Sequence, residues 1–185
     1  MTRPSKHEYY IGIAEAVAKR STCLRRQYGA VIVKDDRIIS TGYNGSARGL
    51  ENCCDKGVCW REEHDIPHGQ QYEKCQAVHA EANAIINANP SDMIGATLYL
   101  AGFENGRPMS FPEPCEMCSR LIINAQIGKV VTREGSKWFN VRHIGGIENQ
   151  IAIAFKNGLH EPNPDIIAAM KKAVNKKFGT EELSK

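Results

Sequence analysis

Two short fragments of the sequence carry residue types that bind metal ions. The first, HAE, supplies His79 and Glu81, and the second, PCEMC, supplies Cys115 and Cys118. Cysteines at positions i and i+3 of a helix lie on one face, so both sulfurs can reach the same ion. A helix N-terminus also favours the thiolate form that a metal requires. The spacing therefore predicts a metal site made by His79, Cys115 and Cys118.

Three protein ligands leave one position of a tetrahedral zinc ion open, which distinguishes a catalytic zinc from a structural one. Zinc lowers the pKa of water in that position from about 15.7 to near 7. Glu81 is not needed as a ligand, so its carboxylate is free to carry a proton to a substrate nitrogen. The alternative is a chance combination of a core histidine, a surface glutamate and half of a zinc ribbon.

The elements that must hold these residues follow from the hydrophobic periodicity. Ser5 and Glu8 have the spacing of a capping box, and Asp35-Asp36 separates two β-branched runs that predict a hairpin. The predicted elements are helices over 5–21, 79–89 and 115–126, strands over 95–102 and 128–132, and two C-terminal helices near 145–157 and 163–179. This order favours helices packed on a mixed sheet in a single domain.

The composition is that of an ordinary globular protein. The chain has 185 residues, of which 42% are hydrophobic, and a net charge of +3, which gives no reason to expect a nucleic-acid partner. We find no 18-residue apolar run and no signal peptide, so we expect a cytoplasmic protein with no membrane contact. Its seven cysteines are then expected to be reduced, as ligands or nucleophiles rather than disulfides.

Four segments together resemble the deoxycytidylate (dCMP) deaminase family, and the similarity covers roughly residues 5–132. They are GAVIVKDDRIISTGYNGSARG (29–49), VHAEANAII (78–86), PCEMC (114–118) and LIINAQIGKVV (121–131). The combination of H-x-E with P-C-x-x-C is a signature of zinc-dependent nucleobase deaminases. The resemblance implies a three-layer α/β/α cytidine deaminase-like fold with a mixed five-stranded sheet. It also implies hydrolysis of dCMP to dUMP and ammonia, usually by a homo-oligomer.

The resemblance also implies roles for individual residues. His79, Cys115 and Cys118 would bind the catalytic zinc, Glu81 would shuttle protons, and the backbone of Ala80 would contact the pyrimidine edge. Asn44 would contact a sugar hydroxyl, although an Asn-Gly pair can also serve only to shape a turn. Arg25 and Arg26 would meet the 5′-phosphate, because arginine pairs with phosphate through two hydrogen bonds, or they would form a solvated face.

Five cysteines are left over, and most lie in or beside the long segment 44–74, which shows no periodicity. Relatives with a second, structural zinc imply Cys23, Cys53, Cys59 and Cys75 as its four ligands, which would close a tetrahedral site. A metal in this position would offset the entropy of ordering a long, weakly apolar loop. Cys54 can replace Cys53 in this set, and His64 and His68 are further candidates. The alternative is reduced thiols that bind nothing.

The sequence leaves several points open. An insertion over 102–113 precedes the cysteine motif, and a C-terminal helical extension over about 143–180 has no counterpart in the family pattern. Some family members bind dCTP and dTTP with magnesium, for which the GYNGSARG loop is the place to look. A tRNA adenosine deaminase shares the zinc motif. Binding of the tRNA phosphates would favour a more basic face than the C-terminal segment KKAVNKK provides. A non-catalytic zinc module that binds RNA or protein would not need Glu81.

Overall fold

The computed structural model describes residues 3–67, 69–109, 112–133 and 135–138. The two predicted C-terminal helices, the extension over about 143–180 and the candidate ligand His68 therefore lie outside the described residues. The elements in chain order are α1 (Lys6–Ala18), β1 (Arg26–Lys34), β2 (Arg37–Tyr43), β3 (Gly45–Ser46), α2 (Cys53–Lys56), α3 (Trp60–Glu63), a 3-10 turn (Tyr72–Lys74), β4 (Ala77–Val78), α4 (Ala80–Ile86), α5 (Pro90–Met93), β5 (Thr97–Glu104), β6 (Arg107–Pro108), α6 (Glu116–Asn124), β7 (Lys129–Thr132) and β8 (Gly135–Trp138).

The main sheet is mixed and has the strand order β2-β1-β5-β7-β8. Strand β1 is antiparallel to both β2 and β5, and β7 is antiparallel to β8, whereas β5 and β7 run parallel. The short strand β6 pairs with the end of β5 and extends one edge as a small hairpin. The five-stranded mixed sheet expected from the sequence is confirmed, with β6 as an addition.

The sheet buries both of its faces, because neighbouring strand residues point to opposite sides. On one side Ala30 and Ile32 pack with residues of α4 and α6. On the other side Val31 and Val33 form a hydrophobic cluster with residues of α1, including Tyr10 and Ile11. Helices therefore cover both faces, and the predicted three-layer α/β/α architecture is confirmed.

Most of the elements predicted from periodicity are present with shifted ends. Helix α1 begins with the predicted capping box, in which the Ser5 hydroxyl accepts from the backbone of Glu8 and the Glu8 carboxylate accepts from the backbone of Ser5. The helix predicted over 79–89 ends at Ile86, and a separate turn of helix begins at Pro90. Strands β6 and β8 and the short helices within 44–74 were not predicted.

Two glycines allow helices to approach the sheet closely. A Cβ atom on Gly42 would lie 2.3 Å from the backbone oxygen of Ala80, and one on Gly29 would lie 2.1 Å from that of Ala14. Backbone atoms in packed helices cannot move aside, so both positions require glycine. Gly42 thus sets the distance between β2 and the residue that separates His79 from Glu81. No helix in the described part of the chain is long and apolar enough to cross a membrane.

Candidate metal centre and active site

Two helix starts bring His79, Cys115 and Cys118 together. His79 is the N-cap of α4, Cys115 is the N-cap of α6, and Cys118 lies one turn further along α6. The Nδ1 atom of His79 is 3.4 Å from the sulfur of Cys115 and 3.4 Å from that of Cys118. All three ligand atoms lie within 4.8 Å of one another, and no other group of three or more potential ligands meets this spacing among the described residues.

The donor set and its spacing fit a zinc ion. With metal–sulfur distances of about 2.3 Å and metal–nitrogen distances of about 2.0–2.1 Å, tetrahedral angles separate a sulfur from a nitrogen by roughly 3.5 Å. The separations of 3.4 Å in the structure agree with this value. Two soft sulfurs and one imidazole nitrogen are also the ligand types that zinc accepts. The three residues can therefore hold zinc with one position open.

The three ligand groups of the cluster differ in how easily they lose a proton. A hydrogen bond from the Cys118 thiol, followed by the contact with His79, holds the pKa of Cys115 well below its ordinary value. The pKa of His79 is raised, chiefly by its hydrogen bond to Cys115, and burial and the charge of Arg61 oppose this change. The pKa of Cys118 is raised, chiefly by its hydrogen bond to Cys115. Thiolate and neutral imidazole are the ligand forms, so a metal that binds here would displace the protons held by His79 and Cys118.

Glu81 lies beside the cluster in a nearly dry environment. Its side chain is only 4% exposed, and its carboxyl group is within hydrogen-bonding reach of Cys118. Burial raises the pKa of this carboxyl group above its ordinary value. A raised pKa makes a carboxyl group a better acceptor of a proton, which a proton carrier requires. The geometry therefore suits the proton-transfer role that the sequence predicted for Glu81.

The cluster opens into a cavity of about 630 Å³, which is large enough for a nucleotide-sized molecule. The wall includes residues that the sequence did not indicate, among them Tyr28, Arg61 and Tyr72. The ring of Tyr72 meets that of His79 edge to face at a centroid distance of 5.2 Å. No local sequence signal indicates them, because their meeting depends on the fold of the long loop.

Asn44 also lines this cavity, and its side-chain amide is oriented by the surrounding backbone. Its Oδ1 atom accepts hydrogen bonds from the hydroxyl of Ser21 and the backbone N–H of Tyr28, each at 2.7 Å. Its Nδ2 atom donates to the carbonyl of Arg26 at 2.8 Å. An amide has two N–H donors, so the bond to Arg26 uses only one of them. Asn44 thus both shapes the turn and lines the cavity.

Arg25 and Arg26 line the same cavity, but both form ion pairs with glutamates. Arg26 binds Glu104 through two nitrogens, each 2.7 Å from the same carboxylate oxygen. Glu104 reaches this position because β1 and β5 are antiparallel and their register pairs Arg26 with Glu104. Arg25 contacts Glu62 at 3.5 Å, and that carboxylate is largely exposed. The phosphate role of both arginines stays a prediction.

The remaining cysteines gather around the long loop. Cys53 lies close enough to Cys23, Cys59 and Cys75 for all three to influence its thiol, although burial is the main cause of its raised pKa. Cys53 and Cys59 are buried, Cys23 and Cys75 are half-buried, and Cys54 is exposed. His64 is exposed and its ring contacts the carbonyl of Trp60 and stacks on the Trp60 ring. The second-zinc assignment stays a prediction, and Cys53 suits it better than Cys54.

Comparison with known proteins agrees with this site. Residues 4–134 match the family described as the cytidine and deoxycytidylate deaminase zinc-binding region. The deoxycytidylate deaminase of Mycobacterium phage D29 is 43% identical over 136 residues, which cover 71% of this chain and 96% of that protein. The deoxycytidylate deaminase of Schizosaccharomyces pombe is 37% identical over 131 residues, but the aligned part spans only 37% of its length.

A solved structure supports the same conclusion. The dCMP deaminase of cyanophage S-TIM5, in its apo form, superposes with a TM-score of 0.50 at 28% sequence identity, covering 71% of this chain and 84% of that one. A His-Cys-Cys set at two helix starts beside a buried glutamate is the arrangement of a zinc-dependent hydrolytic deaminase. The chain belongs to the cytidine and deoxycytidylate deaminase family.

Proposed function

We propose that this protein hydrolyses dCMP to dUMP and ammonia. The observation that carries the proposal is the ligand set of His79, Cys115 and Cys118, with ligand atoms within 4.8 Å of one another and Glu81 buried beside it. Relatives that align over most of their length, such as the phage D29 protein, are named deoxycytidylate deaminases. Zinc bound here would supply a hydroxide at neutral pH.

Glu81 moves protons in the proposed reaction. Its carboxylate takes a proton from the attacking water and delivers it to N3 of the pyrimidine as water adds at C4. It then takes the remaining proton of the added hydroxyl and gives it to the 4-amino group, which departs as ammonia and leaves the C4 carbonyl of dUMP. Burial of Glu81 keeps competing water away from this carboxylate.

Asn44 and Ala80 are the proposed contacts for the rest of the nucleoside. The orientation of the Asn44 amide is held by Ser21 and Tyr28, so the N–H not bound to Arg26 can meet a sugar hydroxyl. Ala80 lines the same cavity between His79 and Glu81, where its backbone can meet the pyrimidine edge. These assignments derive from the resemblance, and the lining of the cavity supports them.

A second, structural zinc is proposed at Cys23, Cys53, Cys59 and Cys75. The proximity of the other three thiols to Cys53 supports this set. Binding zinc would draw the sulfurs together and close the loop, because a structural site is completed by its metal. We further propose a cytoplasmic homo-oligomer, in keeping with thiols that stay reduced, and a magnesium-dependent nucleotide effector at the GYNGSARG loop.

The proposal is tested with a panel of substrates and a measurement of released ammonia. Cytosine, cytidine, dCMP, dCTP, adenosine and tRNA are compared with zinc-loaded protein at the same concentration. We expect the highest kcat/KM with dCMP. Activity with tRNA alone would favour an adenosine deaminase, and no zinc-dependent turnover of any compound would favour a binding module; either result overturns the proposal.

A further inference from the structure

The ring plane of His79 is not fixed by its position at the start of α4 alone. The torsion that turns an imidazole about its last side-chain bond is broadly distributed in proteins. A hydrogen bond to the second ring nitrogen usually fixes a metal-binding histidine. In the described part of the chain the hydrogen-bonding contacts of the His79 ring are both at Nδ1, with the sulfurs of Cys115 and Cys118. A different kind of contact therefore has to hold the ring.

Tyr72 makes such a contact. Its ring meets the His79 ring edge to face, with the centroids 5.2 Å apart and an angle of 89° between the planes. Aromatic pairs favour this arrangement because it brings the positive edge of one ring to the negative face of the other. Rotation of the imidazole out of its present plane would break the contact. Both side chains line the same cavity, so Tyr72 acts at the wall of the metal centre.

Tyr72 is itself held by Arg61. The guanidinium carbon of Arg61 lies 4.6 Å from the centroid of the Tyr72 ring, within the range of cation–π contacts. Arg61 is only 5% exposed, and its Nη2 atom donates to the carbonyl of Pro67 at 2.6 Å. A cation–π contact is stronger when the cation is removed from water. The buried and oriented guanidinium is therefore a firm support for the ring beside it.

The long aperiodic segment brings these two side chains to His79. Arg61 lies in α3 and Tyr72 in the 3-10 turn. Local backbone bonds hold both residues, since the carbonyl of Arg61 accepts from the N–H of Ile66 at 2.8 Å and that of Tyr72 from the N–H of Cys75 at 3.1 Å. The helices and the sheet place the backbone of His79, and the loop adds the contact to its ring.

We propose that Tyr72 is a positioning residue that holds the imidazole of His79 in the plane required for metal binding, and that Arg61 acts through Tyr72. This inference rests on the proposed function, because it takes His79 as a ligand of the catalytic zinc. The lone pair of Nδ1 lies in the ring plane, and a tetrahedral ion accepts it from one direction only. A ring that turns freely would spend less time in that orientation, so zinc would bind more weakly.

A competing role for Tyr72 is to pack the loop and nothing more. Loss of that role would lower the melting temperature and increase cleavage of the loop, but it would leave the bound metal unchanged. Loss of a positioning role would change both zinc affinity and coordination geometry. Cobalt(II) placed in the zinc site reports this geometry through its visible absorption. Zinc affinity and the cobalt spectrum therefore separate the two roles, and neither measurement needs a substrate.

The test compares Tyr72→Leu and Tyr72→Phe with the wild type, and Tyr9→Leu is the matched control. We expect Tyr72→Leu to bind zinc about 10- to 100-fold more weakly, the usual loss when the support of a metal-binding histidine is removed. Tyr72→Phe keeps the ring and should bind zinc like the wild type. Tyr9 also makes an edge-to-face contact, with Tyr10 at 5.0 Å, but it lies in α1 and does not line the cavity. Tyr9→Leu should therefore bind zinc normally.

Variants of Arg61 provide a second, independent measurement. Arg61→Met removes the charge but leaves the Tyr72 ring, so it should weaken zinc binding less than Tyr72→Leu does, and Arg61→Lys should restore part of the affinity. Competition with a chelator measures the affinity, and the release step that disappears in Cys115→Ser belongs to the catalytic site. If Tyr72→Leu fails to fold, Arg61→Met decides the question, and wild-type affinity in that variant would contradict the proposal.

The outcomes distinguish this inference from the function on which it rests. Wild-type zinc affinity and an unchanged cobalt spectrum in Tyr72→Leu would overturn the positioning role, even if the melting temperature fell. Equal losses in Tyr72→Leu and Tyr72→Phe would overturn it as well, since the ring would then not be the cause. Zinc binding that does not depend on Cys115 would refute the proposed function and this inference together. Absence of dCMP turnover with normal zinc binding would refute the proposed function alone.

Discussion

The catalytic cluster and the loop cysteines use the same kinds of ligand atoms but are positioned in different ways. His79, Cys115 and Cys118 stand at the first turns of helices that pack on the sheet, and their ligand atoms are already at metal-binding distances. The loop cysteines lie in a segment whose helices have only four residues each. The packed helices and sheet position the catalytic cluster, whereas zinc bound by the loop cysteines would itself have to order the loop that carries them.

This difference divides the effects of substitutions into two groups. Changes at the catalytic cluster should alter chemistry with little effect on the fold, because the sheet and helices hold the site without the metal. Changes at the loop cysteines should alter the metal content and stability of the loop first. Each prediction below either breaks this division or sharpens it.

The largest effect is expected from Glu81→Gln. The substitution keeps size and removes the proton carrier, so kcat should fall by about 10²- to 10⁴-fold. Zinc content and the melting temperature should stay close to the wild type, since Glu81 is not a ligand. Steady-state ammonia release measures kcat, metal analysis measures the zinc content, and thermal unfolding measures the melting temperature. Glu63→Gln, on the exposed end of α3, is the control and should retain full activity. Near-normal turnover in Glu81→Gln would remove Glu81 from the mechanism.

Cys75→Ser tests the second site. We expect two zincs per chain in the wild type and one in this variant, with the catalytic ion retained. The melting temperature should fall by about 10 °C, because binding of a structural zinc is coupled to folding. Proteolytic cleavage should increase within 44–74.

Cys54→Ser is the matched control for Cys75→Ser. Cys54 is exposed and its thiol contacts Asp55, so this variant should keep both zincs. Cys53→Ser, in contrast, should behave like Cys75→Ser, because Cys53 is buried near the other thiols. A single zinc in fully loaded wild-type protein would contradict the second site. If Cys54→Ser lost a zinc and Cys53→Ser did not, Cys54 rather than Cys53 would be the ligand.

The sequence predicts the catalytic cluster well because its information is local. Cys115 and Cys118 are one helical turn apart, and helical periodicity follows directly after each motif. It predicts the environment of Arg26 poorly because that environment depends on a distant residue. Glu104 is 78 positions from Arg26, and the two side chains meet because the antiparallel register of β1 and β5 places these residues opposite each other. No local pattern indicates which arginine of the described residues forms such an ion pair.

Gly42→Ala tests the claim that packing positions the catalytic cluster. The added Cβ would lie 2.3 Å from the backbone oxygen of Ala80 and from the backbone nitrogen of Ala84, so α4 would have to move away from β2. We expect a loss of about 1–3 kcal/mol in the free energy of unfolding. Zinc affinity at His79 should weaken as well. Thermal unfolding and competition with a chelator measure the two effects.

Gly12→Ala is the control for Gly42→Ala. Gly12 lies in α1, and a Cβ there would meet nothing within 4 Å. Alanine is the better helix former, so this variant should gain up to about 1 kcal/mol. If Gly42→Ala were as stable as Gly12→Ala and bound zinc normally, the close approach of β2 and α4 would not be what positions the cluster.

The smallest effect is expected far from both metal sites, at the turn between β1 and β2. Asp36 accepts hydrogen bonds from Lys6 and Tyr10 of α1. The bond from Lys6, followed by that from Tyr10, lowers the pKa of the Asp36 carboxyl group. A lowered folded-state pKa gives stability above the unfolded-state pKa, and this stability is lost as pH falls through the folded-state value.

Asp36→Asn should therefore lower the melting temperature slightly at pH 7. The difference from the wild type should shrink as pH falls below the ordinary aspartate pKa of about 3.9 and vanish below the lower folded-state pKa. Asp35→Asn is a close control, because Asp35 is the neighbouring turn residue and also has a positive φ angle. Asp35→Asn has the same effect of asparagine on the turn backbone as Asp36→Asn, but it does not remove the hydrogen bonds to α1. Because this turn lies outside both sites, zinc content and kcat should be the same in both variants, and a change in either would connect the docking of α1 to the active site.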